Sequence, residues 1–257
     1  MDTIVSVTSI PSRFKHLPNI VRNLTRQGCE VWVSIPLTYN RWPSGSEVAV
    51  PPELYHIPGV RVVRCKDYGP GTVYFGPVDS GTTAHTLVAV DDDTSYPVLM
   101  TDVFKRLMVQ SRGVWCTSGF RIPEYLERDG VGVPRYDCQE VDVAEGYGGV
   151  AVPVEYLERC KDEFVRMYQT YTYNDDINLS NLMAKMGVPR RSVFNQELNL
   201  GMIQQYQFGM EGDALWRNGG DNGHFLNNKK TFKTLREKGE YYFKEWQSGT
   251  ASSSTTN

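Results

Sequence analysis

Two short acidic runs carry the residue types and spacing that could do chemistry. One is Asp91, Asp92 and Asp93 in "TLVAVDDDTSYP"; the other is Asp175 and Asp176 in "YNDDINLSNL". The first follows directly on an apolar run, Leu87 to Val90. Adjacent carboxylates repel one another, and none is buried cheaply without a partner. Such a run either lies in solvent as an acidic turn or gathers around something cationic. Carboxylates at a strand end suit Mg²⁺ or Mn²⁺, which take oxygen ligands and are often held by one or two carboxylates plus substrate phosphates. Alternate residues of an extended segment point the same way, so Asp91 and Asp93 are expected on one side as metal ligands. Asp92 then points elsewhere, toward a ribose hydroxyl or a backbone donor. The second run precedes Ile177, Leu179, Leu182 and Met183 and suits the first turn of a helix, where acids are favoured by the dipole.

The elements that must position these acids follow from periodicity. "TIVSVTSI", "EVWVSIP", "VRVVRC" and "HTLVAV" read as strands, and "VWCTSGF" as a fifth. "HLPNIVRNLTRQG" has Leu17, Ile20, Val21 and Leu24 at helical spacing and stops at Gly28. A helix is expected from about Val98 to Gly113, another over "PVEYLERCKDEFVRMYQTY", and "KDYGPGTVYFGPVDSG" reads as a Gly/Pro-rich loop. Strands alternating with helices imply an α/β fold with a mostly parallel central sheet flanked by helices. Ligands of such sheets bind beyond the carboxyl ends of the strands, where Asp91, Asp92 and Asp93 fall.

Composition narrows the class. The chain has 257 residues, 40% hydrophobic and 22% charged, with a net charge of -3. That is globular composition with no basic excess, so no nucleic-acid partner is expected. No apolar run is long enough to span a bilayer, and the N-terminal sequence has no signal-peptide pattern. The five cysteines, Cys29, Cys65, Cys116, Cys138 and Cys160, are scattered and form no CxxC pair. A soluble cytoplasmic protein is the expectation. The chain reads as one domain over residues 1–247, with a small polar, disordered tail at 248–257.

Five motifs in order carry a family resemblance: "VTSIPSR", "KDYGP", "VAVDDD", "EGYGGVAVP" and "NDDINLSNLMAKMG". Over about residues 3 to 190 the chain resembles the GT-A-fold, family-2-like nucleotide-sugar glycosyltransferases, and among them the small glycosyltransferases of large algal viruses. The resemblance implies a GT-A (Rossmann-like) fold, a UDP-linked sugar donor, a glycan or glycoprotein acceptor, and Mn²⁺ or Mg²⁺ on the donor diphosphate. It gives Asp91 and Asp93 to the metal and Asp92 to the ribose or sugar. It places Asp176 where inverting members keep their general base, with Asp175 the alternative. For a viral protein it implies the host cytoplasm.

The nucleotide loops carry the remaining assignments. Thr8, Ser9 and Ile10 could offer backbone and hydroxyl groups to a base edge or ribose, and Arg13 could reach a phosphate. Asp67 could accept from a uracil nitrogen and Tyr68 could stack on the base, with Gly69 shaping the turn. The lysine that the family often carries shortly after this motif is absent from "GTVYFG". His224 is a candidate further metal ligand, since many GT-A enzymes take one from a C-terminal histidine. Gly146, Gly148 and Gly149 allow close approach to a sugar, and Tyr147, Trp115 or Trp42 could stack on an acceptor ring. Two other readings of the acids remain: a two-metal nucleotidyltransferase and a catalytically silent sugar- or metal-binding module.

Overall fold

The computed structural model describes residues 2–40, 48–127, 139–170, 174–193, 204–205 and 223–244. Strand β1 (Thr3–Thr8) leads to helix α1 (Leu17–Leu24), β2 (Glu30–Pro36) and β3 (Val60–Cys65). Helix α2 (Thr72–Asp79), β4 (Thr86–Val90), β5 (Thr94–Ser95), α3 (Met100–Gln110), β6 (Val114–Cys116), β7 (Gly119–Phe120) and α4 (Ile122–Glu127) follow. The second half holds β8 (Val143–Ala144), β9 (Val150–Pro153), α5 (Val154–Thr170), α6 (Asp175–Lys185), β10 (Arg190–Ser192), β11 (Gln204–Gln205) and α7 (Gly223–Glu237).

Seven strands form the central sheet in the order β10-β6-β9-β4-β1-β2-β3. All neighbours are parallel except β9, which runs antiparallel to both β4 and β6. The fold is therefore α/β with a mostly parallel sheet flanked by helices. The inner strands β1, β2, β4 and β9 are buried on both faces, which is why they read as near-continuous apolar runs, whereas the edge strand β3 is half-exposed. Ile4, Leu87, Ala89, Val150 and Val152 pack with Phe164 of α5, Leu182 of α6 and Phe232 of α7. Their neighbours Val5, Val7, Val88, Val90 and Ala151 face the other way, onto Leu17 and Ile20 of α1 and Phe104 of α3. Helix α1 runs into a 3-10 turn that stops at Gly28, left-handed at φ 68°, as its sequence anticipates.

Several elements differ from the sequence pattern. The "TVYFGPVD" stretch is helix α2 rather than loop. Its residues Thr72 to Pro77 are all buried, so it shows no amphipathic stripe. Pro77 inside it cannot donate to the carbonyl four residues back. That carbonyl, of Val73, instead accepts from Ser6 Oγ of β1 at 2.5 Å. A tertiary hydrogen bond thus replaces the helical one. "VWCTSGF" is two strands, because the chain turns aside at Thr117 and Ser118 and β7 pairs with β8 rather than extending the main sheet. Helices α4 and α7 and strand β10 carry too little periodicity to be read from sequence. No described helix is long and apolar enough to cross a membrane. Trp42, the expected tail at 248–257 and the side chain of His224 lie outside the described residues.

Candidate functional site

Strand β4 ends at Val90, which is paired with Val7 of β1. The two loops that follow therefore leave the sheet side by side. They are joined by a dense set of charge-assisted hydrogen bonds. Ser9 Oγ donates to Asp92 Oδ2 at 2.5 Å, and Arg13 Nη1 donates to Asp92 Oδ1 at 2.7 Å and to Asp93 Oδ2 at 3.0 Å. Thr94 Oγ1 donates to the remaining oxygen of Asp93 at 3.1 Å. Asp92 and Asp93 are each 6% exposed, whereas Asp91 is open to solvent. This differs from the expected alternation, in which Asp91 and Asp93 share a side. Alternation holds only in extended chain, and the backbone turns at Asp92 and Asp93 before β5 begins. Arg13 differs as well: its guanidinium is committed to two carboxylates and is not extended toward a phosphate.

The second acidic run comes to the same place through the glycine loop. Asn174 caps α6, its side chain accepting from the Ile177 N–H at 2.9 Å. Asp176 is therefore not needed as the cap, and its Oδ1 accepts from the Gly146 N–H at 3.0 Å. From the other side, the Asp91 N–H donates to Tyr96 Oη at 2.8 Å, and Tyr96 Oη donates to the Tyr147 carbonyl at 2.9 Å. One 3-10 turn, Gly146–Gly148, thus ties Asp91 to Asp176 across 85 positions of sequence, and the glycines are needed where it packs. A Cβ on Gly148 would meet Thr117 Oγ1 at 2.2 Å. Gly149 has φ 92°, and its Cβ would meet Met100 Sδ at 2.9 Å. Thr117 Oγ1 donates to the Gly148 carbonyl at 2.5 Å, fixing the turn to the end of β6.

The electrostatics follow from this crowding. Burial, then Asp175, Glu145 and Asp91, raise the Asp176 carboxyl well above the usual range, against the opposing Gly146 N–H. Asp91 is also raised well above it, by surrounding protein and then by Asp93, Asp92 and Asp175. Asp92 is raised by burial, with Arg13 and Ser9 pulling the other way. Tyr74 of α2 is buried beneath the cluster, and its hydroxyl is raised by burial and then by Asp176, Asp175 and Asp91. Glu145, raised by burial, accepts from Ser118 Oγ at 2.6 Å. Glu145, Tyr96, Tyr74 and Ser118 have no role in the sequence reading. Glu145 opens the quoted glycine motif and Tyr96 ends the "DDDTSY" run, but neither signals a contact with the other.

The predicted nucleotide loops are mostly occupied with each other. Thr8 Oγ1 donates to the Ser34 carbonyl at 2.8 Å, and the Ser9 carbonyl accepts from Tyr39 Oη at 2.6 Å. Ile10 is half-buried and leads into a 3-10 turn, Pro11–Arg13. Asp67 accepts from the Asn40 N–H at 2.6 Å and from the Gly69 N–H at 2.7 Å, so it holds two loops together. Tyr68 is 6% exposed. Its ring packs edge-on against Phe75 and its hydroxyl donates to Asp79 of α2. The ring expected to stack on a base is packed against the core in this structure, and its hydroxyl is held by Asp79. Gly69, left-handed at φ 59°, lies against Tyr168, whose hydroxyl a Cβ would strike at 1.9 Å. Trp115 is buried and donates to the Ser111 carbonyl, so it is not an acceptor platform. Tyr147 is half-exposed beside the acids.

Among the described residues no group of three or more His, Cys, Asp or Glu is arranged to hold a metal ion unaided. What is present is one open carboxylate, Asp91, with other acids close behind it. That donor chemistry fits a hard cation whose shell is completed by substrate phosphates rather than by a protein cage. His224 lies in α7, and its side chain is outside the described residues.

No protein-family model matches the chain, and no curated protein matches it either. Among solved structures it is similar to a mannosyltransferase of Pyrobaculum calidifontis in complex with GDP-Man and Mn²⁺, with 16% identity, 74% of this chain covered and TM-score 0.48. It is similar to S. aureus TarS in complex with UDP-GlcNAc, with 12% identity, 76% of this chain covered and TM-score 0.48. The glycosyltransferase GlyE of Streptococcus pneumoniae TIGR4 has 12% identity, 96% coverage and TM-score 0.48. The chain spans 54%, 56% and 66% of those three chains, respectively.

Proposed function

We propose that this protein is a divalent-metal-dependent glycosyltransferase of GT-A type. It would move a sugar from a nucleotide diphosphate, UDP in our reading, to a hydroxyl of a glycan or glycoprotein. The observation that carries the reading is the convergence of two acidic runs at the carboxyl end of β4, tied through one glycine turn to Tyr96 and Gly146. One run keeps an open carboxylate, Asp91. The other keeps a half-buried one, Asp176, whose pKa is raised by burial and by like charges. A phosphate-bearing donor and a proton-bearing acceptor need that pair of environments. A nucleotidyltransferase would need a triphosphate-binding Gly/Lys motif, and the sequence has none that we recognise.

In this reading Asp91 and Asp93 would hold Mn²⁺ or Mg²⁺ on the donor diphosphate, directly or through water, with His224 a further candidate ligand. The ion would supply neutralisation of charge on the leaving diphosphate. Asp176 takes the proton of the acceptor hydroxyl as its oxygen bonds the anomeric carbon. The bond from that carbon to the diphosphate oxygen breaks, and its electron pair leaves with the diphosphate. Attack from the face opposite the leaving group inverts the anomeric centre. Asp175 is the alternative base. We assign the nucleoside to the Thr8, Ser9 and Ile10 loop and the Asp67 loop. We take residues 1–247 as one catalytic domain.

The test is a thermal-shift screen of UDP-, GDP- and other nucleotide-linked sugars with and without Mn²⁺. Preferential binding of the native fold raises the melting temperature by mass action. The largest shift should come from a UDP-sugar with Mn²⁺, and the same pair should then release UDP when glycan acceptors are added. Binding without turnover over a broad acceptor panel would favour the silent module. No shift with any nucleotide sugar would end the proposal.

A further inference from the structure

Resting on that reading, we propose that Arg13 is a positioning residue. It turns Asp92 and Asp93 inward, leaving Asp91 as the one carboxylate of the run that meets a divalent cation directly. All four carboxylate oxygens of Asp92 and Asp93 already accept a hydrogen bond: from Ser9, Arg13 twice and Thr94. Three of those four bonds come from the loop after β1. That loop and the acidic run leave the sheet together because Val7 and Val90 are in register. A single nitrogen, Arg13 Nη1, is shared between the two carboxylates at 2.7 and 3.0 Å, and all three side chains are about nine-tenths buried.

The charge arithmetic explains why the arrangement needs an arginine. Three adjacent carboxylates carry three negative charges, and the guanidinium cancels one. Without it, two buried carboxylates would face one another with no cation, a state that proteins avoid by protonation or by unfolding locally. With it, the pair is held fixed, and a cation arriving with a diphosphate finds Asp91 in solvent and the other two acids just behind. Asp93 then acts on the cation through space and through Asp91's placement, not as a ligand. A lysine at position 13 would keep the charge, but its ammonium is a strongly hydrated point charge on a flexible stem and would hold the shared nitrogen position less firmly.

The test uses the full chain, with Mn²⁺ in the presence of UDP as the probe, titrated calorimetrically and by the loss of free Mn²⁺ signal in electron paramagnetic resonance. Asp91→Asn should abolish measurable Mn²⁺ binding. Asp93→Asn and Arg13→Lys should each weaken it by about 10- to 100-fold, the range for residues that orient a ligand from behind. Equal loss in Asp93→Asn and Asp91→Asn would overturn the proposal, because Asp93 would then be a ligand. Wild-type affinity in Arg13→Lys would overturn it too. A second arm needs no metal: the melting temperatures of Arg13→Met, Asp93→Asn and the double variant. Arg13→Met should cost less stability when Asp93 is already neutral. Additive losses would refute the clamp. If the wild type binds no Mn²⁺ with UDP, the metal reading fails and takes with it the part assigned to Asp91, while the melting cycle still decides the clamp.

Discussion

Replacing Asp176 by Asn should slow the enzyme and stabilise the fold at once, and the two effects have the same cause. The Asn side chain keeps an oxygen for the Gly146 N–H at 3.0 Å, so the glycine turn stays anchored. What is lost is the basic charge. General-base help contributes about 10² to 10⁴ in rate, and kcat should fall by roughly that factor with UDP affinity nearly unchanged. Asp175→Asn should do less. The stability side follows from burial and from the repulsion of Asp176 by Asp175, Glu145 and Asp91. For scale, a like unit charge at an illustrative separation of about 8 Å and an effective dielectric constant of about 20 costs roughly 2 kcal/mol. Discounting by half for a half-buried group leaves about 1 kcal/mol, or a rise of about 2–4 °C in melting temperature for a chain of this size. The pH dependence has a definite sign. The folded-state pKa is raised above the unfolded value of about 3.9, so the native state binds more protons between the two. Wild-type stability attributable to Asp176 is therefore full below about pH 4 and declines as pH rises through the folded pKa. The advantage of Asp176→Asn should be absent near pH 4 and grow toward pH 8. The assay is a series of melts of both proteins across that range, with initial rates at pH 7.5. A variant that is less stable at every pH, or a gain that does not change with pH, would refute the account and leave Asp176 as a structural residue.

Tyr68→Phe should lower the melting temperature by several degrees, since a hydrogen bond to a charged group contributes about 1.5–3 kcal/mol. It should leave UDP affinity unchanged, and a selective loss of UDP binding would restore the base-stacking role. Tyr96→Phe breaks both links between the Asp91 N–H and the Tyr147 carbonyl. It should cut kcat more than UDP affinity, and an unaltered rate would show that the bridge does not set the site. Isothermal titration should show UDP binding better than GDP, and equal affinities would argue against a base-specific pocket between the Ser9 and Asp67 loops. Removing residues 248–257 should leave melting temperature and turnover as they are, and a large loss in either would mean that the tail docks.

Local chemistry was enough to read the α/β pattern. β1, β2 and β4 are apolar runs because both faces of a central parallel strand are buried, the edge strand β3 is β-branched but half-exposed, and α1 and α5 show a helical stripe because one face is not buried. The acidic runs were visible for the same reason: a carboxylate cluster after an apolar strand is costly in any context. What the sequence could not carry was which side each acid faces. That is decided by a turn at Asp92 and Asp93 and by Arg13, 79 and 80 positions away in sequence. Helix α2 was hidden because its proline is tolerated only where Ser6 of another strand supplies the missing donor. The hydrogen bond of Tyr68 to Asp79 of α2 is equally invisible in the sequence, because it joins a loop residue to a helix that periodicity does not show. Glu145, Tyr96 and Tyr74 acquired their places only when β9 ran antiparallel between β4 and β6 and laid the glycine turn across the end of the sheet. Periodicity and residue type act over a few positions, so they fix elements. Contacts between loops far apart in sequence depend on the register of the sheet, and only the folded chain sets that.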